Sequence, residues 1–274
     1  MRTQDDRAGR TYCDESWAHA PTAREVATSG NLRHYVNRRF DGLFRRHLAA
    51  LPSGAKLVEI GCANSSWLPY FAKRYGLTVS GIDYSSLGCE QASQVLARSG
   101  ADGEVILGDL FDPPQRLMNS FDAAVSLGLV EHFSDTTGCV EAIARFVRRD
   151  GLVITLIPNL SGVLGPVQRV LDRRVYDVHV PLTAEVLAAA HSAAGLRVED
   201  SGYLVPVHFG ICNASSRPRT IWSLGMAVVV RALVALSVAT WVIDERIRRL
   251  PETRLFGGYA YCVATRRIEE TTTS

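Results

Sequence analysis

The chain is poor in lysine. Among its 30 basic residues only Lys56 and Lys73 are lysines, and the formal net charge is +2. No basic field of the kind that nucleic-acid binding needs stands out in the sequence. The composition therefore argues against nucleic acid as a partner of this protein.

Paired cysteines and an apolar leader are also lacking. Because the chain has no C-x-x-C pair, it predicts neither a zinc knuckle nor a disulfide framework, and we expect reduced thiols, several of them buried. The polar first ten residues contain no apolar run of the kind found in secretory signals, so we expect a cytosolic protein. The cysteines are Cys13, Cys62, Cys89, Cys139, Cys212 and Cys262.

The most informative stretch runs from Lys56 to Ser85. The apolar residues Leu57, Val58 and Ile60 predict a buried parallel strand, and Gly61 follows where the backbone must turn sharply into a helix. A second predicted strand at 77–82 ends at Asp83, roughly 20 residues beyond the turn, where a carboxylate can accept both hydroxyls of a ribose. This order of elements predicts a site for a nucleotide-type cofactor.

The turn itself indicates the charge of that cofactor. A dinucleotide site requires G-x-G-x-x-G, so that bare backbone can approach a pyrophosphate. Glu59, just before the turn, would repel a pyrophosphate but attract an ammonium or sulfonium group. A cationic cofactor therefore suits this turn better, since its sequence is only Gly61, Cys62, Ala63, Asn64, Ser65 and Ser66.

These residues resemble the class I S-adenosylmethionine-dependent methyltransferases, over about residues 54–204. One departure is that Ala63 and Ser65 replace the usual second and third glycines of the first motif, which leaves the fold intact and the turn geometry open. The motifs occur in family order as Val58–Ala63, Gly81–Ser85, Leu107–Leu110, Phe121–Phe133 and Gly151–Val153.

The resemblance implies S-adenosyl-L-methionine as cofactor and S-adenosyl-L-homocysteine as product. It also implies that Asp109 accepts the adenine amino group and that Leu110 packs on the ring. The predicted cofactor-binding residues are Glu59, Gly61, Cys62, Ala63, Asn64, Ser65, Asp83, Tyr84, Ser85, Gly108, Asp109, Leu110, Leu127, Gly128 and His132.

Beyond residue 85, alternating strands and helices predict a mostly parallel, doubly wound α/β sheet. The family resemblance adds an antiparallel last strand, which gives a Rossmann-like sheet of seven strands. The predicted later strands are 104–107, 123–127, 152–157, 197–203 and 258–265, and the predicted helices include 31–51, 88–99, 140–149 and 183–194.

Four segments are predicted along the chain. An N-terminal arm and helix precede the cofactor-binding core, and an apolar helical cap is inserted between strands six and seven, before the last strand and tail. Insertions at such positions are where substrate pockets are usually built. The segments are 1–52, 53–204, 205–257 and 258–274.

Residues 221–243 form an apolar run of membrane-spanning length, interrupted by Arg231. A spanning helix needs about 20 apolar residues, but a single crossing is incompatible with strand seven returning to the same sheet. Three roles therefore stay open for 221–243: a buried cap, the interface of a homodimer, or a helix lying on a lipid surface.

Three histidines are candidates for a general base. His132 follows strand four at the carboxyl edge of the sheet. His179 lies in a first insertion, 158–181, after strand five, and His208 lies near the start of a second insertion, 205–257, between strands six and seven. Each is equally compatible with a packing role. Because the pair Glu131-His132 has no third ligand near it in the sequence, we expect no metal site.

Tyr12, Trp17 and Tyr176 are aromatic residues that could line the substrate pocket, although packing is as good an explanation for each. With the apolar insertion, they favour a lipophilic small molecule as the methyl acceptor. We expect O-methylation of a carboxylate, phenol or alcohol by in-line transfer. The alternatives are C- or N-methylation of a natural-product intermediate, methylation of a peptide carboxylate, and a catalytically inactive protein that binds the cofactor.

Overall fold

The computed structural model describes residues 6–212 and 221–267. Parts of the predicted N-terminal arm, of the second insertion and of the tail lie outside the described residues, at 1–5, 213–220 and 268–274.

Strands and helices alternate through the described chain. The strands are β1 (Lys56–Ile60), β2 (Thr78–Asp83), β3 (Gly103–Leu107), β4 (Phe121–Leu127), β5 (Val147–Pro158), β6 (Leu196–Leu204) and β7 (Tyr259–Arg266). The helices are α1 (Gly9–His19), α2 (Tyr35–Leu48), α3 (Trp67–Tyr75), α4 (Ser86–Ser99), α5 (Thr136–Ala144), α6 (Leu164–Leu171), α7 (Arg173–Asp177), α8 (Ala184–Ala193) and α9 (Ile221–Arg246).

The strands form one seven-stranded sheet in the order β3-β2-β1-β4-β5-β7-β6, in which β7 is antiparallel to both of its neighbours and the other pairs are parallel. The predicted Rossmann-like sheet with an antiparallel last strand is thus confirmed. Ile60 pairs with Ile82 of β2 and with Ser126 of β4, so the carboxyl ends of these three strands meet at one edge. Ligands bind at this switch point in open α/β sheets.

Both faces of the sheet are covered by apolar packing, because successive side chains of a strand point to opposite faces. In β1, Val58 and Ile60 belong to the core under α5 and α8, whereas Leu57 belongs to the core under α2 and α3. All three side chains are at most 1% exposed. An apolar run buried on both faces is typical of a parallel strand. This packing holds β1 in place, and with it the edge of the sheet at which the site lies.

The predicted helix 140–149 is wrong in its second half. Helix α5 ends at Ala144, and β5 already begins at Val147, five residues before the predicted strand. Val147 is fully buried and pairs with Phe121 of β4, so the sheet extends across an irregularity in that pairing. Pairing with a distant strand therefore overrides the helical pattern of this stretch.

The structure contains a helix, α8, at the predicted position 183–194, with a cap at its start and a glycine after its end. The Thr183 side chain accepts a hydrogen bond from Val186 N, which caps α8, and Gly195 adopts a φ of +80° just after its end. An N-cap hydroxyl and a C-terminal glycine in the left-handed region are the standard start and stop of a helix.

The second insertion contains α9, whose C-terminal half is fixed against α2. Trp241 stacks on Tyr35 with ring centroids 5.1 Å apart and donates its indole N–H to Val207 O at 2.8 Å. The Tyr35 hydroxyl donates to the buried Asp244 carboxylate at 2.8 Å. These contacts hold the C-terminal half of α9 against α2 and against the backbone at Val207. No helix within 6–212 and 221–267 combines the length and apolar content needed to cross a membrane.

Candidate active site

A cavity of about 410 Å³ opens at the carboxyl edge of β1, β2 and β4. Its volume lies within the range of small-molecule sites, and its place is the switch point of the sheet. The residues that line it are Asp6, Ile60, Gly61, Ile82, Asp83, Tyr84, Gly108, Asp109, Leu110, Phe111, Asp112, Leu129 and Phe133.

The turn after β1 requires glycine at its first position. Gly61 has a φ of +74°, and a Cβ added there would lie 3.1 Å from Leu129 Cδ1. Asn64 also adopts a positive φ, of 53°, which asparagine tolerates better than most residues. The turn therefore forms without the other two glycines of the family motif.

The Asn64 side chain faces the N-terminal arm. It accepts a hydrogen bond from Ala23 N at 2.7 Å and donates to Pro21 O at 3.0 Å. Although the sequence predicts Asn64 as a cofactor-binding residue, its amide is thus occupied in holding residues 21–23 against the turn.

Asp83 is held in a fixed orientation at the edge of the cavity. Its Oδ1 accepts a hydrogen bond from Ser85 N at 2.8 Å, and its Oδ2 accepts one from Ala63 N at 3.1 Å. Burial raises the pKa of Asp83 above its ordinary value, although these backbone N–H groups act in the opposite direction. Since each carboxylate oxygen keeps a further acceptor site, the group can receive two hydroxyls from a ligand.

Glu59 lies beneath the turn and does not line the cavity. It is 3% exposed, and its Oε2 accepts a hydrogen bond from Ser65 Oγ at 2.6 Å. Ser65 Oγ also accepts a hydrogen bond from Trp67 N at 3.0 Å, at the start of α3. Burial raises the pKa of Glu59 to about 8. The carboxyl group therefore supports the turn from below.

Six of the predicted cofactor-binding residues line the cavity: Gly61, Asp83, Tyr84, Gly108, Asp109 and Leu110. The other nine do not line it. These are Glu59, Cys62, Ala63, Asn64, Ser65, Ser85, Leu127, Gly128 and His132.

The sequence did not predict Asp6 as a lining residue. Its backbone forms an isolated bridge with Phe133, and its Oδ2 accepts a hydrogen bond from Tyr84 OH at 3.3 Å. In α1, Asp14 Oδ1 accepts a hydrogen bond from Ser85 Oγ at 2.5 Å, and Cys13 Sγ lies 3.1 Å from Tyr84 OH. The arm thus packs over the end of β2, a tertiary contact that leaves no local signal in the sequence.

Leu129 and Phe133 also line the cavity, although they were not predicted. They flank a short 3₁₀ turn at Val130–His132, directly after β4. Both lie within the fourth motif, so their apolar character could have indicated that they line the cavity.

The three predicted pocket aromatics do not line the cavity. Trp17 contributes its backbone carbonyl to Gln91 Nε2 at 3.0 Å, and Tyr176 packs with the apolar cluster of the first insertion around Leu164. Tyr12 is half-buried, and burial raises the pKa of its hydroxyl.

The structure brings two of the three candidate bases together. The rings of His132 and His179 lie 4.5 Å apart, whereas His208 lies apart from them, with Nδ1 3.0 Å from Tyr259 OH and its ring 5.2 Å from Trp241. Burial lowers the pKa of both His179 and His208 to about 4, so each is neutral near pH 7.

Glu131 stands beside this histidine pair. It is 2% exposed, and neither of its carboxylate oxygens has a hydrogen-bond partner in the described part of the chain. Burial raises the pKa of Glu131, and the charge of His132 acts against that rise. A buried carboxyl group without a partner is costly for the fold.

Comparisons with known proteins agree with this geometry. A family model described as a methyltransferase domain matches residues 58–155. A ubiquinone biosynthesis O-methyltransferase of Pseudomonas entomophila is 26% identical over 156 residues, covering 54% of this chain and 67% of that protein. One of Salmonella paratyphi A is 26% identical over 128 residues, and the match spans 49% of its length.

Solved structures show the same fold at low identity. The geranyl diphosphate C-methyltransferase of Streptomyces coelicolor, in complex with Mg²⁺, geranyl diphosphate and S-adenosyl-L-homocysteine, has a TM-score of 0.60 at 13% identity, covering 94% of this chain and 98% of its own. The [4+2]-cyclase SpnF has a TM-score of 0.60 at 17% identity, covering 97% of each chain.

The raised pKa of Glu59 predicts a pH dependence of stability. Its pKa rises from 4.5 to about 8 on folding, so the folded protein holds more protons between these values and its stability falls as the pH rises through that window. Relative to Glu59→Gln, the wild type should lose up to about 1.4 kcal/mol of unfolding free energy per pH unit. Urea titrations from about pH 6 to about pH 8 measure this difference.

Glu141→Gln, at an exposed carboxylate on α5, is the matched control and should follow the wild-type curve. Parallel curves for Glu59→Gln and the wild type would contradict the prediction.

Proposed function

Because this chain is a class I S-adenosylmethionine-dependent methyltransferase, we propose that it transfers the cofactor's methyl group to an oxygen of a lipophilic small molecule. The observation that carries this proposal is the fixed Asp83 carboxylate beside the glycine turn, facing a cavity at the switch point of the sheet.

We place the cofactor along the lining of this cavity. Asp83 receives the ribose hydroxyls, and the backbone at Gly61 allows close approach. Asp109 and Leu110, which also line the cavity, receive the adenine ring. This leaves the sulfonium end directed toward Leu129 and the turn after β4, where an acceptor would have to bind.

A second, apolar cavity of about 290 Å³ supports a lipophilic acceptor. Both insertions contribute to it, through Val163 on one side and Leu236 of α9 on the other. The curated relatives are named for O-methylation in ubiquinone biosynthesis, which supports oxygen as the accepting atom. Methylation of carbon, nitrogen or a peptide carboxylate is the second choice.

The main contribution of the protein to this reaction is to position the two reactants. The acceptor oxygen attacks the methyl carbon in line, the C–O bond forms as the S–C bond breaks, and the electron pair of that bond stays on sulfur. The cofactor supplies the electrophile, and proximity with exclusion of water supplies much of the acceleration. An alcohol or phenol must also lose its proton, whereas a carboxylate need not.

Asp83→Ala tests the cofactor site. Loss of two hydrogen bonds to a charged group should weaken S-adenosyl-L-homocysteine binding about 10- to 100-fold, measured by calorimetry. Transfer from methyl-labelled cofactor to a panel of lipophilic phenols, alcohols and acids should fall in parallel. Asp102→Ala, an exposed aspartate between α4 and β3, is the control and should bind like the wild type.

Failure of the folded wild-type protein to bind S-adenosyl-L-homocysteine would contradict the proposed cofactor site. Label found on carbon or nitrogen would overturn the choice of oxygen.

We further propose that α9 lies on an anionic lipid surface, from which a cytosolic enzyme could draw its acceptor. The free face of α9 exposes Val228 (64%), Leu236 (52%) and Ile243 (37%), and Phe256 in the following loop is also exposed. An apolar helix face with flanking cations is typical of interfacial helices.

Charge favours a lipid surface over a second copy of this chain. Segment 213–256 has seven arginines against three acids, a net charge of +4, whereas the whole chain has +2 and the remainder therefore has −2. Two copies meeting through this face would bring like charges together. The basic residues are Arg217, Arg219, Arg231, Arg246, Arg248, Arg249 and Arg254.

The double variant Val228→Asp/Leu236→Asp should abolish co-sedimentation with phosphatidylcholine vesicles that contain phosphatidylglycerol, because it places two carboxylates at the apolar contact. Val186→Asp, at an exposed valine of α8, is the matched control and should sediment like the wild type. Equal sedimentation of the double variant, or none of the wild type, would contradict the lipid contact.

A further inference from the structure

A polar cleft lies at the edge of the sheet opposite the cofactor cavity. It is formed where β5 and β6 begin and β7 ends, beside the C-terminal ends of helices α5 and α8. Its volume is about 970 Å³, against about 410 Å³ for the cofactor cavity. We call it the arginine cleft, because five of its lining residues are arginines: Arg145, Arg149, Arg197, Arg266 and Arg267.

Positive charge is concentrated in the arginine cleft. Its five arginines and two carboxylates, Glu141 and Asp150, give it a formal net charge of +3, whereas the whole chain has +2. The C-terminal ends of α5 and α8 carry about half a negative charge each, which offsets only part of this excess. Because a concave surface with an excess of one sign focuses the electric field, the cleft attracts anions.

Most of these guanidinium groups have donors to spare. Arg197 forms an ion pair with Glu199 at 2.8 Å, but the other four arginines of the cleft form no ion pair within 6–212 and 221–267. Arg149 and Arg267 are exposed and also make no side-chain hydrogen bond in that part of the chain. Each guanidinium carries five N–H donors, so these two can bind an anion without breaking a contact in the fold.

Arg266 is fixed between the strands at the floor of the cleft. It is half-buried, and its Nη1 donates to Asn119 Oδ1 and to Val147 O, the latter at 2.6 Å. Both bonds use the same nitrogen, and among the described residues Nε and Nη2 donate to none. Three N–H donors of an oriented guanidinium therefore remain for a ligand, as a preorganised site requires.

The other side chains of the cleft argue against nucleic acid and against a bilayer. No aromatic residue lines it, so it offers no platform on which bases could stack. Glu141 and Asp150 would repel a uniformly anionic polymer. Leu196, the largest apolar residue in the lining, is only 3% exposed, so nothing here could insert between lipids.

Carboxylates carried by a protein chain fit these features better. Guanidinium groups bind carboxylates through two parallel hydrogen bonds, and clusters of arginine recognise acidic motifs in peptides. The spread of the arginines over α5, β5, β6 and β7 suits several carboxylates along one segment rather than a single small anion.

We propose that the arginine cleft binds an acidic segment of a partner protein, whose carboxylates pair with Arg149, Arg266 and Arg267. The cleft lies at the amino edge of β5 and β6, whereas the cofactor cavity opens at the carboxyl edge of β1, β2 and β4. The partner would therefore hold the enzyme while the cofactor enters and leaves. This inference does not depend on which acceptor is methylated.

Fluorescence anisotropy tests the cleft with the full chain and a labelled peptide of alternating glutamate and glycine, about ten residues long. We expect saturable binding in about 0.15 M salt that weakens as salt is raised. A peptide with glutamine in place of glutamate should not bind. Arg149→Ser/Arg267→Ser should weaken binding about tenfold, because two charged pairs are lost.

The matched control is Arg45→Ser/Arg169→Ser, which removes the same two charges from exposed positions on α2 and α6. It should bind the glutamate peptide like the wild type. Circular dichroism checks that both double variants are folded. No saturable binding by the wild type, or an equal loss in the two folded variants, would overturn the cleft as a specific site.

Two further measurements test the ligand and its place. Tighter binding of a single-stranded RNA of equal charge than of the glutamate peptide would overturn a protein segment as the ligand. Calorimetry with S-adenosyl-L-homocysteine should give the same affinity with and without saturating peptide. A weaker affinity in its presence would place the peptide at the cofactor cavity and overturn the arginine cleft.

Discussion

The site depends on the junction between β1 and β2, where the Asp83 carboxylate is locked to the turn that begins at Gly61. Ala63 N and Ser85 N hold its two oxygens, and the buried Glu59 supports the same turn through Ser65. Because the carboxyl ends of three parallel strands meet there, small shifts in sheet register would move every cavity residue at once. The rigid sheet therefore supplies the precision that the turn alone lacks.

The remaining elements complete the edge in different ways. The N-terminal arm adds Asp6 to the cavity wall and bonds to the turn after β4 through Arg7. The first insertion contributes His179, and α9 contributes an apolar wall and an exposed apolar face. A cyclase with the same fold illustrates that the sheet does not determine the reaction. We therefore expect specificity in this chain to come from these added segments.

Local patterns predicted the sheet and three residues that line the cavity, because Gly61, Asp83 and Asp109 each lie where a strand ends. These patterns failed where contacts between residues far apart in the chain determine the structure. The helix predicted through Arg149 gives way to β5 because Val147 pairs with Phe121. The meeting of His132 with His179 depends on how an insertion folds back, which spacing along the chain does not encode.

A crystal structure with bound S-adenosyl-L-homocysteine would test the central claim most directly. We predict that the ribose hydroxyls lie within hydrogen-bond distance of both Asp83 oxygens, that the adenine lies against Leu110, and that the sulfur faces the turn between Leu129 and Phe133. Density for the ligand away from Asp83, or in the apolar cavity beneath α9, would contradict the account.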